Sequence, residues 1–104
     1  MLVECDGCVF DAEQLKHSHG YDDLDPTARE AFVNHIHLSG PGRSGRASLL
    51  IEGWSSQLRA GWPGSLFRIY RHTQRGEITV RFHRVRADVP NWAEVGCEII
   101  EVHT

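Results

Sequence analysis

Two runs of alternating side chains, 66–72 and 77–86, gather the residues best suited to chemistry in this 104-residue chain. A period of two puts Arg68, Tyr70 and His72 on one side of the first run. It puts Thr79, Arg81 and His83 on the matching side of the second. Guanidinium and imidazole groups hold a phosphodiester and move protons near neutral pH, and a tyrosine ring offers a base something to stack on. His35 and His37 join this face if 32–38 is a strand of the same sheet. As a close pair on one strand face they would also present two rings to a metal. The plainer use of Arg68, Tyr70, His72, Arg81, His83, His35 and His37 is a solvated sheet face, paired with acids elsewhere or covered by a second subunit.

A second grouping is Cys5-x-x-Cys8 with His17-x-His19. The residue types are those of a zinc site. The spacing is short, and one residue between the histidines is tight for a shared ion. The sequence therefore calls for no metal and no cofactor. Two reduced thiols beside a turn, or a redox pair, are the alternatives. A local disulfide would close too small a loop to stabilise much. Cys97 reads as a core residue of a strand. Among the tryptophans, Trp54 belongs to the core, whereas Trp62 and Trp92 either cap its edge or anchor a partner. Asp22, Asp23 and Asp25 come without the pattern of a calcium loop. The Gly-Arg stretch 39–45 lacks the ending of a P-loop and reads as a connector. A nucleophile elbow, a His-Glu-x-x-His helix and a dinucleotide fingerprint are all missing.

The elements that must position these groups are readable from periodicity. Ala47, Leu50, Ile51, Trp54 and Leu58 form a helical stripe, Gly61 stands just past it, and Pro63 forbids a restart. Leu49 lies off the stripe, a mild hint of a subunit interface. The two alternating runs form a hairpin, joined by Thr73-Gln74-Arg75-Gly76. Phe67, Ile69, Ile78, Val80 and Phe82 turn toward the helix. Residues 2–10 form a smaller hairpin around Asp6-Gly7. Asp11 starts a short helix that Gly20 ends. Thr27 and Glu30 read as a capping box, followed by one helical turn and then a strand over 32–38. Pro90 bars a central strand, and 95–103 is the last strand. The expectation is one α+β domain over 1–104, with one main amphipathic helix on one face of a mostly antiparallel sheet of about four to five strands.

Charge is segregated along the chain. Residues 1–42 carry eight acids against Lys16 and Arg29, a net −6; residues 43–86 carry nine arginines against Glu52 and Glu77, a net +7; residues 87–104 carry four acids and no base. Either the acidic ends fold beside the basic middle and neutralise it, or the middle is an anion-binding surface. Ten arginines against one lysine favour the second, because guanidinium forks fit phosphate and carboxylate. No run is long enough to span a membrane, acids follow directly on Met1-Leu2-Val3 where a signal peptide would continue, and three cysteines do not make a disulfide framework.

These features point to a small soluble binding or interaction module, cytoplasmic and bacterial in type. Its first expected partner is a protein or a second copy of itself as a homodimer, and nucleic acid comes next on the basic face. A metal-free phosphodiesterase or ribonuclease-like enzyme using His72, His83, Arg68, Arg81 and Tyr70 is the alternative. A domain held by zinc on Cys5, Cys8, His17 and His19 is the third reading.

Overall fold

The structure, a computed structural model, describes residues 1–92 and 95–104. The alternation of the two central runs produces long antiparallel strands, β4 (Leu66–Gln74) and β5 (Glu77–Arg84). They are longer at the turn than the four-residue link implied. Thr73 and Gln74 pair with Ile78 and Glu77, so only Arg75 and Gly76 make the turn. Both have positive φ, 52° and 76°, the mirror-image turn that matches strand twist. β5 stops at Arg84 rather than continuing to Arg86. β3 (Ile36–Leu38) lies against β5, and β6 (Glu98–His103) against β4, giving a four-stranded antiparallel sheet in the order β3-β5-β4-β6.

One face of this sheet is the core. Phe67, Ile69, Ile78, Val80, Phe82 and Val102 are buried, and α3 (Arg43–Gly61) lies on them through Ala47, Trp54 and Leu58. Leu50 and Ile51 pack at the edge of the same cluster. Burying each such side chain contributes about 1.5–3 kcal/mol, so this layer dominates the apolar energetics. The Trp54 ring meets Phe82 edge-on, with centroids 4.7 Å apart. α3 runs one residue further than the expected stop: Gly61 is its last residue, and Trp62 closes it with an N–H to the Leu58 carbonyl. The last strand is shorter than 95–103, which leaves Cys97 half-buried ahead of β6 rather than in it.

The N-terminal hairpin, β1 (Leu2–Cys5) and β2 (Cys8–Asp11), is a separate two-stranded sheet turning on Asp6 and Gly7. Asp11 ends it and caps α1 (Ala12–Lys16), accepting from the N–H groups of Glu13 and Gln14. The other carboxylate oxygen of Asp11 accepts from Trp54 Nε1 at 3.1 Å. One side chain thus starts a helix and anchors the hairpin to α3.

The strongest departure from expectation is α2 (Pro26–Val33). Its cap is Asp25, which accepts from the Ala28 N–H, with Pro26 at the first helical position. Thr27 and Glu30 are not a capping box. Both are buried and face inward. The helix takes in Phe32 and Val33, and Asn34 closes it, so the strand expected over 32–38 is reduced to Ile36–Leu38. Glu30 and Asn34 are one turn apart on the same face. Glu30 accepts from the Val9 N–H (2.7 Å), the Arg84 N–H (2.9 Å) and the Arg86 guanidinium (2.7 Å). Asn34 accepts from the Asp11 N–H (2.8 Å) and donates to the carbonyls of Val9 (2.9 Å) and Phe82 (3.4 Å). The short β3 leaves the end of β5 without a strand neighbour, and β2 has a bare edge of its own. Two side chains of α2 stand between those edges and satisfy both.

Glu30→Ala strands the Arg86 guanidinium and two backbone N–H groups out of water. We expect a loss of about 3–5 kcal/mol in urea unfolding, with Glu30→Gln losing less because one acceptor remains. An Ala variant within about 0.5 kcal/mol of the parent, the range of a surface substitution, would refute the bridging role.

Candidate functional site

On the face of the sheet away from α3, cross-strand register sets the residues in rows. His37, Thr79 and His72 form one row across β3, β5 and β4; Arg81, Tyr70 and Ile99 form the next; His83, Arg68 and Glu101 form the third. The alternation expected from the sequence is thus present, but the rows differ in what covers them. Tyr70 and His83 are 1% and 0% exposed. Residues 85–92 leave β5, make a small bridge at Arg86 and Val89, and fold back over the lower rows.

Trp92 is the centre of that cover. Its ring takes the Phe32 edge at 4.9 Å and the Arg81 guanidinium over its face at 4.7 Å. Its backbone N–H lies 3.2 Å from His83 Nε2, and its carbonyl accepts from the Tyr70 hydroxyl at 3.1 Å. A backbone N–H can only donate, so Nε2 is an acceptor and the imidazole is neutral. Its proton sits on Nδ1, which donates to the Arg84 carbonyl at 2.9 Å. The Tyr70 hydroxyl is also 2.8 Å from Nε2, so its single proton is shared between two acceptors. Burial, the main cause, holds the His83 pKa below its ordinary value. His83 and Tyr70 therefore act as fasteners for the covering segment and lie out of reach of a phosphodiester.

The top row stays open. His37, His72, Thr79 and Arg81 line a cleft of about 500 Å³ together with Gln74, Arg75 and Glu77 from the hairpin tip. His37 Nδ1 is 3.1 Å from the Glu77 carboxylate and 2.9 Å from the Thr79 hydroxyl. A carboxylate needs a donor, so the proton belongs on Nδ1 and Nε2 is left for the cleft. His35 packs edge-on against His37, ring centroids 5.0 Å apart, and its Nδ1 bonds the Phe32 carbonyl. Of the seven residues singled out, His37, His72 and Arg81 share the cleft, His35 backs it, and Arg68, Tyr70 and His83 lie further down the sheet. Arg75 and Glu77 were not singled out; the place of Arg75 in the turn and of Glu77 in the alternation with Thr79 and Arg81 were the available signals.

The arginines divide in the same way. At the covered end they meet the acidic termini: Arg86 pairs with Glu30, Arg84 with Glu4 at 3.7 Å, and Arg68 with Glu101 at 3.2 Å. At the hairpin tip, Arg43, Arg71 and Arg75 form no ion pair with any described carboxylate. Arg43 and Arg71 line a second hollow of about 330 Å³ on the α3 side of the tip. There Arg71 donates to the hydroxyls of Ser44 (2.7 Å) and Ser48 (3.2 Å). The first turn of α3, which has no side-chain cap and no acid, opens at the same tip and adds its positive end.

Cys5 and Cys8 stand opposite each other across the N-terminal hairpin, and His19 lines a cavity with Cys5. Cys8 is buried with its thiol toward the Pro26 carbonyl, while Cys5 is exposed beside Asp6. No group of three or more His, Cys, Asp or Glu among the described residues is placed to hold a metal ion. Trp62 packs at the core edge and donates to Glu4 at 2.9 Å. Compared with models of known families, with curated proteins and with solved structures, the chain finds no match.

The His83 fastener has a pH signature. Because its pKa is lowered in the fold, the unfolded chain takes up a proton first as pH falls below about 6.5. Its contribution is present above that pH and is lost on acidification, when a proton on Nε2 would face the Trp92 N–H. Denaturation at pH 7 and pH 5 should show stability falling with acid, and His83→Gln should flatten that fall. Equal slopes in both proteins would refute the assignment.

Proposed function

We propose that this chain is a binding module whose hairpin tip takes the phosphate backbone of a nucleic acid, without reading its bases. The observation that carries this reading is the separation of charge on the folded surface. Carboxylates from both ends of the chain neutralise Arg68, Arg84 and Arg86. Arg75 in the cleft, and Arg43 and Arg71 in the hollow behind it, are left for an anion from outside. Guanidinium groups on two sides of one narrow tip can straddle a phosphodiester chain. His37 and His72 line the open side of the same cleft. The aromatic rings of the face, Tyr70 and Trp92, are engaged in holding the cover, which leaves little to stack on a base.

Fluorescence anisotropy of a labelled single-stranded RNA tests this. Three phosphate contacts give a plot of log K against log salt with a slope of about −2. Arg75→Glu, an exposed turn residue, should weaken binding at least tenfold, about 1.4 kcal/mol. Affinity that ignores both salt and Arg75→Glu would remove the tip as the site. Cleavage of the RNA, lost on His37→Gln, would favour the enzyme reading instead.

Self-association is the second reading, favoured by β6. No described strand pairs with its outer edge. Ile99 on it is 48% exposed, and Val95 just before it is 94% exposed. Unpaired strand edges with apolar side chains add strands readily. Light scattering after gel filtration should give the mass of a dimer, and Ile99→Lys should return the monomer. A monomeric parent at high concentration would end this reading.

A further inference from the structure

A cavity unrelated to the hairpin tip lies between the N-terminal hairpin, α1 and α2, with a volume of about 240 Å³. This is below the roughly 300–1,000 Å³ of sites for drug-sized ligands and suits a metabolite the size of one amino acid. Its floor is apolar. Phe10, Leu15, Val33 and Tyr21 line it and belong to the smaller of the two hydrophobic clusters. Tyr21 is held by stacking on Phe32, centroids 5.4 Å apart.

The polar lining carries both signs of charge. Arg29 is the cation. One of its terminal nitrogens donates to the Asp22 carbonyl at 2.9 Å. Its Nε–H is shielded from water with no acceptor among the described residues, and the guanidinium forms no ion pair with a described carboxylate. A shielded donor next to an apolar wall is strongly in need of an acceptor. The anions are Asp6, in the strained turn of the hairpin at φ 52°, and Asp22. Asp22 is tied to Arg29 through its own backbone carbonyl, and both residues line the same cavity over its apolar floor.

We propose that this cavity binds a free α-amino acid with an apolar side chain. The ligand carboxylate takes the part of the Arg29 guanidinium that lines the cavity. Its ammonium faces Asp22 and Asp6, and its side chain lies on Phe10, Leu15 and Val33. A simple carboxylic acid would place nothing against the two aspartates. A simple amine would leave Arg29 as it is. Only a zwitterion answers both.

Calorimetric titration of the intact chain with leucine and with phenylalanine tests the proposal. Two leucine analogues serve as controls: 4-methylpentanoate, which lacks the amine, and isoamylamine, which lacks the carboxylate. At least one amino acid should bind, and both analogues of leucine should bind at least tenfold more weakly than leucine when leucine is the ligand. For phenylalanine the corresponding controls are 3-phenylpropanoate and phenethylamine. Arg29→Met should abolish binding with the circular dichroism spectrum unchanged. Leu15→Trp, which fills the cavity from a different element, should do the same. No heat and no amide shift at Phe10, Leu15 or Val33 with either amino acid would overturn the proposal. So would binding that survives Arg29→Met, or an amine or acid analogue as tight as its parent.

Discussion

The molecule depends on two polar side chains standing where a strand would otherwise be. β2 and the end of β5 both present backbone groups that need partners, and the two sheets meet at that seam. Glu30 and Asn34 fill it with six hydrogen bonds to β2, β5 and Arg86. A carboxylate with no solvent exposure would be costly to bury alone; here it has a guanidinium and two N–H groups, which offsets its desolvation. The arrangement is also directional. An acceptor-only carboxylate meets only donors, and a carboxamide, with both functions, meets a donor and two acceptors. Exchanging the two residues would put like against like, so the seam specifies which hairpin packs there and in which register.

That seam also decides where positive charge survives on the surface. Arg86 is drawn to Glu30, and Arg84 bridges toward Glu4 and the Gly7 carbonyl. The acidic N-terminal segment is thereby spent on one end of β5. β6 brings Glu101 to Arg68 at the same end. The strands of the hairpin then carry the remaining arginines away from every one of these acids. The exception at the tip is Glu77, which is occupied with His37. Neutralisation by the chain ends and an open anion-binding surface thus stop being rival accounts of the basic middle. The first holds at the covered end of the hairpin, and the second is what we propose for the tip.

What periodicity could reveal was local. The α3 stripe, the two faces of β4 and β5, and the Asp6-Gly7 turn are properties of neighbouring residues, and all three stand in the structure as expected. The misreadings came from residues whose partners are distant. Thr27 and Glu30 have the spacing of a capping box, yet their partners lie more than 50 positions away at Arg86 and Arg84, and at Val9. Phe32 to Leu38 alternates well enough for a strand; Asn34, needed at the seam, ends the helix instead. Alternation also assigned Tyr70 and His83 to the correct face without disclosing that a later segment would cover it. The cleft residues His37, His72 and Arg81 were found because they alternate. Arg75 was missed because a turn residue belongs to no face; Glu77, the first residue of β5, shares the alternation of Thr79 and Arg81 and could have been read with them. The cavity beside Arg29 was out of reach altogether, being assembled from three separate segments.

The cover over Tyr70 and His83 shows why one sheet face can be both core and surface. Antiparallel sheets commonly leave one side to water. Here the part of that side holding Tyr70 and His83 is covered, and Trp92 must be held by groups that tolerate burial with their polar atoms satisfied. Tyrosine and a neutral histidine do this: each brings a large apolar ring and one or two polar atoms that the Trp92 backbone can meet. Lysine or arginine at position 83 would have brought a charge under the loop, where burial penalises the charged form. The two ring residues nearest the fold's interior are thus explained by what lies on top of them. The polar residues of the row above lie beyond that cover and line the open cleft.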